Sequence, residues 1–190
     1  LIREGNTLKI GRKKAFAVLV YLALNDGSVQ NEFLAELLWP NNIKNRKNLR
    51  TTIACLKADL GEQLVRRNDT QVELDPEIGL FADVLEIGRF AEAFKQSMKE
   101  SSPPFHLLEQ AAELLKGRFL DGFYLKGCPE FENWLVLEQN KIEQIGRFTL
   151  SALIEHCEPL KEHERAIAHA RRLINLDPTD EQAHRILIRL

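Results

Sequence analysis

The chain has 190 residues, 44% of them hydrophobic, with a formal net charge of −2. That supplies apolar mass for one large domain or two small ones. No stretch approaches the run of about 18 apolar residues that marks a membrane span. No signal-peptide pattern opens the chain, and Cys55, Cys128 and Cys157 lack paired spacing, so a cytoplasmic protein with reduced thiols and no membrane partner is expected. The start at Leu1 without methionine, and the stop at Leu190 inside a helical pattern, read as a piece of a longer protein. Charge is uneven. Residues 1–75 carry 12 Lys and Arg against 9 Asp and Glu, whereas residues 76–190 carry 14 against 19. A mildly basic front and an acidic rear fit a nucleic-acid module followed by a protein-binding one.

In chain order, LIREGNTLKI (1–10) predicts two short strands around Gly5-Asn6. Next, Phe16, Leu19, Val20, Ala23 and Leu24 recur at helical spacing until Asn25-Asp26-Gly27 ends the pattern. Ser28 reads as the N-cap of a helix from Val29 to Trp39, with Phe33, Leu34, Leu37 and Leu38 inward, and Pro40 stops it. A third helix lies in Asn41 to Gly61. There Leu49, Ile53, Leu56 and Leu60 fall on a stripe roughly 60° wide at about 100° per residue. Opposite them stand Lys44, Lys47, Thr51, Ala54 and Ala58, flanked by Asn48 and Arg50, and no acid occurs between Asn41 and Lys57. A helix that is greasy on one side and basic and slim on the other can pack on a core and enter a DNA major groove.

After Gly61, LVRR and QVEL are β-rich runs separated by Asn68-Asp69-Thr70, with Arg66 and Arg67 toward the hairpin tip. Three helices and a hairpin make a winged helix, and the turn-rich tract after Asp75 ends it. The expected domains are 1–80 and 81–190. The rear half reads as helical: Phe81 to Met98 (Leu85, Gly88, Ala91, Ala93 and Phe94 at packing intervals), then a break at Ser101-Ser102-Pro103-Pro104. His106 to Leu115 follows, then a glycine- and aromatic-rich loop, then a long helix from about Phe131 to His156. In the last part Ala166, Ala170, Leu173 and Pro178 match the second helix and closing proline of a tetratricopeptide unit beginning near Arg147. The fold class is therefore mainly α: a winged helix-turn-helix with a β-hairpin wing, then an all-α tetratricopeptide-like domain. Such a domain offers protein surfaces, so self-association on tandem half-sites belongs to the rear half.

No P-loop, G-x-G-x-x-G, G-x-S-x-G or H-E-x-x-H occurs, and the five histidines lack ligand spacing. No enzyme, no cofactor and no metal are expected. Trp39 and Trp134 sit at amphipathic helix positions, where core packing is the expectation.

The segments RKKAFAVLVYLAL (12–24), FLAELLWP (33–40), NLRTTIACLKADLG (48–61) and LINLDPTDEQAHRILIRL (173–190), in this order and spacing, resemble the Streptomyces antibiotic regulatory protein type of transcription activator. Members of that family join an OmpR-like winged helix to a tetratricopeptide-like bacterial transcriptional activator domain. The resemblance implies sequence-specific binding of double-stranded promoter DNA and recruitment of RNA polymerase. The DNA-facing residues would be Lys44, Arg46, Lys47, Asn48, Arg50 and Thr51, with Arg66, Arg67 and Asn68 from the wing. The loop of Pro40, Asn41 and Asn42 would face polymerase. The rival reading is a protein-docking scaffold in a signalling protein, which would not need the basic outer face of residues 44–51.

Overall fold

The computed structural model describes residues 2–3, 6–7, 10–75, 82–99 and 103–189; the expected Pro76–Gly79 connection, Gly5 and the Ser101-Ser102 break lie outside the described residues. The fold is mainly helical with a small antiparallel sheet. It divides into two compact units, Leu1–Ala82 with Phe123–Leu135, and Asp83–Gly122 with Val136–Leu190.

The first unit opens with paired strands β1 (Ile2–Arg3) and β2 (Asn6–Thr7), Ile2 opposite Thr7, which puts Asn6 in a strand rather than in the turn. Three helices follow, α1 (Lys13–Leu24), α2 (Asn31–Leu38) and α3 (Asn45–Leu60), with strand β3 (Ser28–Gln30) between the first two. The strands β4 (Val65–Arg67) and β5 (Gln71–Leu74) complete a sheet of order β3-β5-β4, with Val72 opposite both Val29 and Arg67. Ser28 is thus a strand residue and not a helix cap. The β-branched Val29 pairs across β5, and that long-range ladder outweighs the local capping signal. Helix α2 then starts at Asn31, and its buried positions are Asn31, Leu34, Ala35, Leu37 and Leu38. Phe33 falls outside that stripe and is 51% exposed, contrary to the inward position expected from sequence.

Helix α1 is buried on more than one face. Ala15 and every residue from Ala17 to Leu22 are buried, whereas Phe16, Ala23 and Leu24 of the expected stripe are only partly so. The cover comes from the chain after the glycine-aromatic loop. Phe16 meets Phe123 edge-on at 5.4 Å between centroids, and Tyr21 lies 4.6 Å from Trp134. Phe131 is fully buried beside Trp134. A single cut at residue 80 would strip these rings from α1.

The second unit holds α4 (Asp83–Ser97), α5 (Phe105–Leu114), α7 (His163–Leu176) and α8 (Glu181–Arg189), plus most of α6 (Pro129–Cys157), whose first turns belong to the first unit. Its core gathers Ile87, Phe94, Leu108, Leu150, Leu153, Ile154, Leu173 and Ile186 around Ala111, Ala112, Ala170 and Ala183. Small residues let the helix axes approach, as the spacing of Ala166 and Ala170 predicts. On α4 the packed stripe is Ile87, Ala91, Phe94 and Ser97, at i, i+4, i+7 and i+10. Leu85 and Ala93 are off that stripe and both exposed, a correction to the expected packing.

Two polar devices finish this unit. The Arg172 guanidinium donates to the carbonyls of Ala112 and Leu115, closing the C-terminal end of α5. Asp177 accepts from the Thr179 amide and hydroxyl at 2.9 and 2.7 Å and pairs with Arg147, fixing the turn before α8. These Thr179 bonds, helped by Arg147, hold the Asp177 carboxyl below its ordinary range. Buried His169 is pushed below the usual imidazole value by desolvation. Among the described residues no helix is long and apolar enough to cross a membrane.

Gly146 sits buried in α6 where a Cβ would come within 3.0 Å of Leu176 Cδ1 and 3.3 Å of Leu115 Cδ2. A Gly146→Val chain should lose about 1–3 kcal/mol through overpacking. Urea unfolding with unchanged midpoint would show that the two leucines simply yield.

Candidate nucleic-acid interface

The basic helix α3 is set by the loop before it. Asn41 adopts φ +56°, a left-handed conformation that asparagine tolerates. Its amide donates to Glu36 Oε1 at 3.0 Å, while the other oxygen of Glu36 accepts from Asn45 Nδ2 at 3.0 Å. Asn42 Oδ1 accepts from the Lys44 amide and Asn42 O from the Asn45 amide, both at 2.8 Å. These bonds serve amides that have no partner inside the helix, which leaves Ile43 wholly exposed at the loop's tip. Leu49, Thr52, Ile53 and Leu56 then face the core.

The opposite side of α3 is open. Lys44, Lys47, Arg50, Thr51 and Ala54 are exposed, as is Ala58, and Asn48 is half-buried, as the periodicity requires. Lys47 and Arg50 have no hydrogen-bond or ion-pair partner among the described residues. Thr51 donates its hydroxyl to Lys47 O at 3.1 Å, which leaves its lone pairs outward. Arg46 is committed differently, since its guanidinium pairs with Glu32 of α2. One face of one helix thus brings together most of the residues singled out from sequence.

The hairpin behaves otherwise. Arg66 pairs with Asp75, a carboxylate only 6% exposed. Arg67 Nε donates to Asn31 Oδ1 at 3.1 Å. Both arginines stand in β4 and not at the tip, which is Asn68 to Thr70. Asn68 builds that tip, its Oδ1 accepting from the Thr70 amide, the Thr70 hydroxyl and the Gln71 amide at 2.8–3.0 Å. The three hairpin residues expected to reach out are therefore engaged within the unit.

Asn31 was not visible as a site residue in the sequence. Almost fully buried at the start of α2, it donates from Nδ2 to Asn68 O at 2.9 Å and from its amide to Thr70 O at 2.8 Å, while accepting from Arg67. It clasps the hairpin to the helix pair. The one signal in the sequence, an Asn before a helical run, reads locally as a cap. Replacing Asn31 by Leu would remove two part-buried hydrogen bonds, those to Arg67 Nε and the Asn68 carbonyl, at about 0.5–1.5 kcal/mol each. A loss of about 1 kcal/mol or more in chemical unfolding, with hairpin amides exchanging faster, is the expected result.

Among the described residues no group of three or more His, Cys, Asp or Glu side chains is placed to hold a metal ion. No curated protein matches the chain. The family model of the bacterial transcriptional activator domain matches residues 85–189, the greater part of the chain and nearly all of its second unit. The chain therefore belongs to the bacterial transcriptional activator domain family.

Proposed function

We propose that the chain is a sequence-specific DNA-binding transcriptional activator that recruits RNA polymerase, with its first unit acting as an OmpR-like winged helix. The observation that carries this reading is the outer face of α3, where Lys47 and Arg50 stand exposed and unpaired beside Asn48 and Thr51. A cation without an internal partner is free to meet an external one, and arginine and asparagine read base edges in the major groove. Slender Ala54 and Ala58 further along let the helix sink into that groove. Membership of a transcriptional activator family, through the second unit, supports the same assignment. The reading makes the protein cytoplasmic and non-enzymatic, with no cofactor. The second unit serves self-association on tandem half-sites, and its acidic balance keeps it from contacting the phosphates itself.

The test starts from duplex DNA upstream of the chain's own coding sequence, titrated at modest salt. A Lys47→Ala/Arg50→Ala chain that folds normally by circular dichroism should bind about tenfold more weakly or worse, since a base contact contributes about 1–3 kcal/mol. Equal affinity would remove α3 from the interface. Absence of binding by the unaltered chain would leave the docking-scaffold reading instead.

The α2–α3 loop offers the polymerase contact. Asn41 and Asn42 carry the loop's own hydrogen bonds, and changing either disturbs α3 as well. Ile43 supports nothing internally and is the cleaner probe. Ile43→Asp should keep DNA affinity within about twofold and lower transcription from a reconstituted promoter by about tenfold or more. Full activity would relocate the contact.

A further inference from the structure

A cleft of about 460 Å³ lies beside the outer face of α3, lined by Arg12, Lys13, Lys14 and Ala15 from the start of α1, and by Trp39, Asn48, Thr51 and Thr52. Three cations border it and no carboxylate does. Arg12 is exposed and has no partner among the described residues, and Lys13 makes only a long, exposed bond of 3.5 Å to Tyr124 O. Lys14 is held inside, donating to Leu38 O with its ammonium 4.8 Å from the Trp39 ring centre. The wall from α3 includes Thr52, only 8% exposed, whose hydroxyl has no hydrogen-bond partner among the described residues. The positive end of the α1 dipole adds to the same field. A small anion with several acceptor oxygens suits a cleft lined by these donors and cations.

Position decides which anion. A helix with its side chains is about 10–12 Å across and the major groove about 12 Å wide, so a helix seated there has a phosphate row along each flank. Asn48 and Thr51 belong both to the α3 face and to the cleft. We infer that the α1–α3 cleft binds a backbone phosphodiester of duplex DNA, with Arg12 and Lys13 as its charged contacts and Lys14 as the fixed positive wall. This rests on the DNA reading above, which seats α3 in the groove. It adds a sequence-independent contact that anchors α1 to one strand.

The experiment titrates the full chain with a mixed-sequence duplex by fluorescence anisotropy, from low to physiological salt. Removing one phosphate-binding cation flattens the plot of log affinity against log salt by about 0.9. Arg12→Ala/Lys13→Ala should flatten it by about 0.9–1.8, and Arg12→Lys/Lys13→Arg should restore it. Lys99→Ala/Arg171→Ala, which removes the same charge from the second unit, should leave the slope unchanged. An unchanged slope for Arg12→Ala/Lys13→Ala, or an equal change for both double variants, overturns the cleft. Failure of the unaltered chain to bind any duplex overturns the DNA reading itself, whereas binding with an insensitive cleft overturns only this inference.

Discussion

The first unit depends on one requirement, that α1 be covered on more than one side. Six consecutive residues from Ala17 to Leu22 are buried, which no single partner helix can achieve, because a surface helix hides one stripe. Packing against α3 and β5 covers part of the surface. Phe123 and Trp134, arriving from more than a hundred residues later and packed on Phe131, meet Phe16 and Tyr21 on another side. A fully buried aromatic or leucine side chain contributes about 1.5–3 kcal/mol, so this returning segment is part of the unit's stability. It also bonds the frame directly, since Cys128 Sγ donates to Leu38 O at 3.1 Å, the carbonyl that Lys14 also reaches.

With that frame in place, the distribution of charge partners separates cations held by the fold from cations left open. Arg46, Arg66 and Arg67 are bound to Glu32, Asp75 and Asn31. Exposed ion pairs contribute little to stability, about 0–1 kcal/mol, so Arg46 can exchange Glu32 for a phosphate at small cost. Arg66 is less free, because it pairs with the nearly buried carboxylate of Asp75. Lys47, Arg50 and Arg12 face no such choice. The cations of the first unit are thus graded, with Lys47, Arg50 and Arg12 uncommitted and Arg46, Arg66 and Arg67 paired.

The second unit is built on close approach. Alanines on α5, α7 and α8 and Gly146 on α6 admit large neighbours, and Leu115 and Leu176 fill the space beside Gly146. Where small residues bring helices together, the ends of those helices need partners from outside themselves. Arg172 supplies one for α5, and Asp180 accepts from the Ala183 amide at 2.9 Å to open α8. Oriented in this way, the LINLDPTDEQAH stretch is a packed helix end, a hydrogen-bonded turn and a helix start in succession.

What the sequence determined by itself is local. The two faces of α3, the strand runs of the hairpin, the end of α1 at Asn25-Asp26-Gly27 and the buried Ala166, Ala170 and Leu173 were legible, since periodicity and turn chemistry depend on near neighbours alone. The tertiary structure decided what distant segments impose. It made Ser28–Gln30 a strand because β5 had an open edge, turned the Leu34, Ala35 and Leu38 side of α2 to the core so that Phe33 stayed outside, and buried α1 under residues 123–135. It also chose which cations remain free. A guanidinium is the same in sequence whether a carboxylate 14 residues away reaches it or not, and only the packing of α2 against α3 brought Glu32 to Arg46 and left Arg50 open.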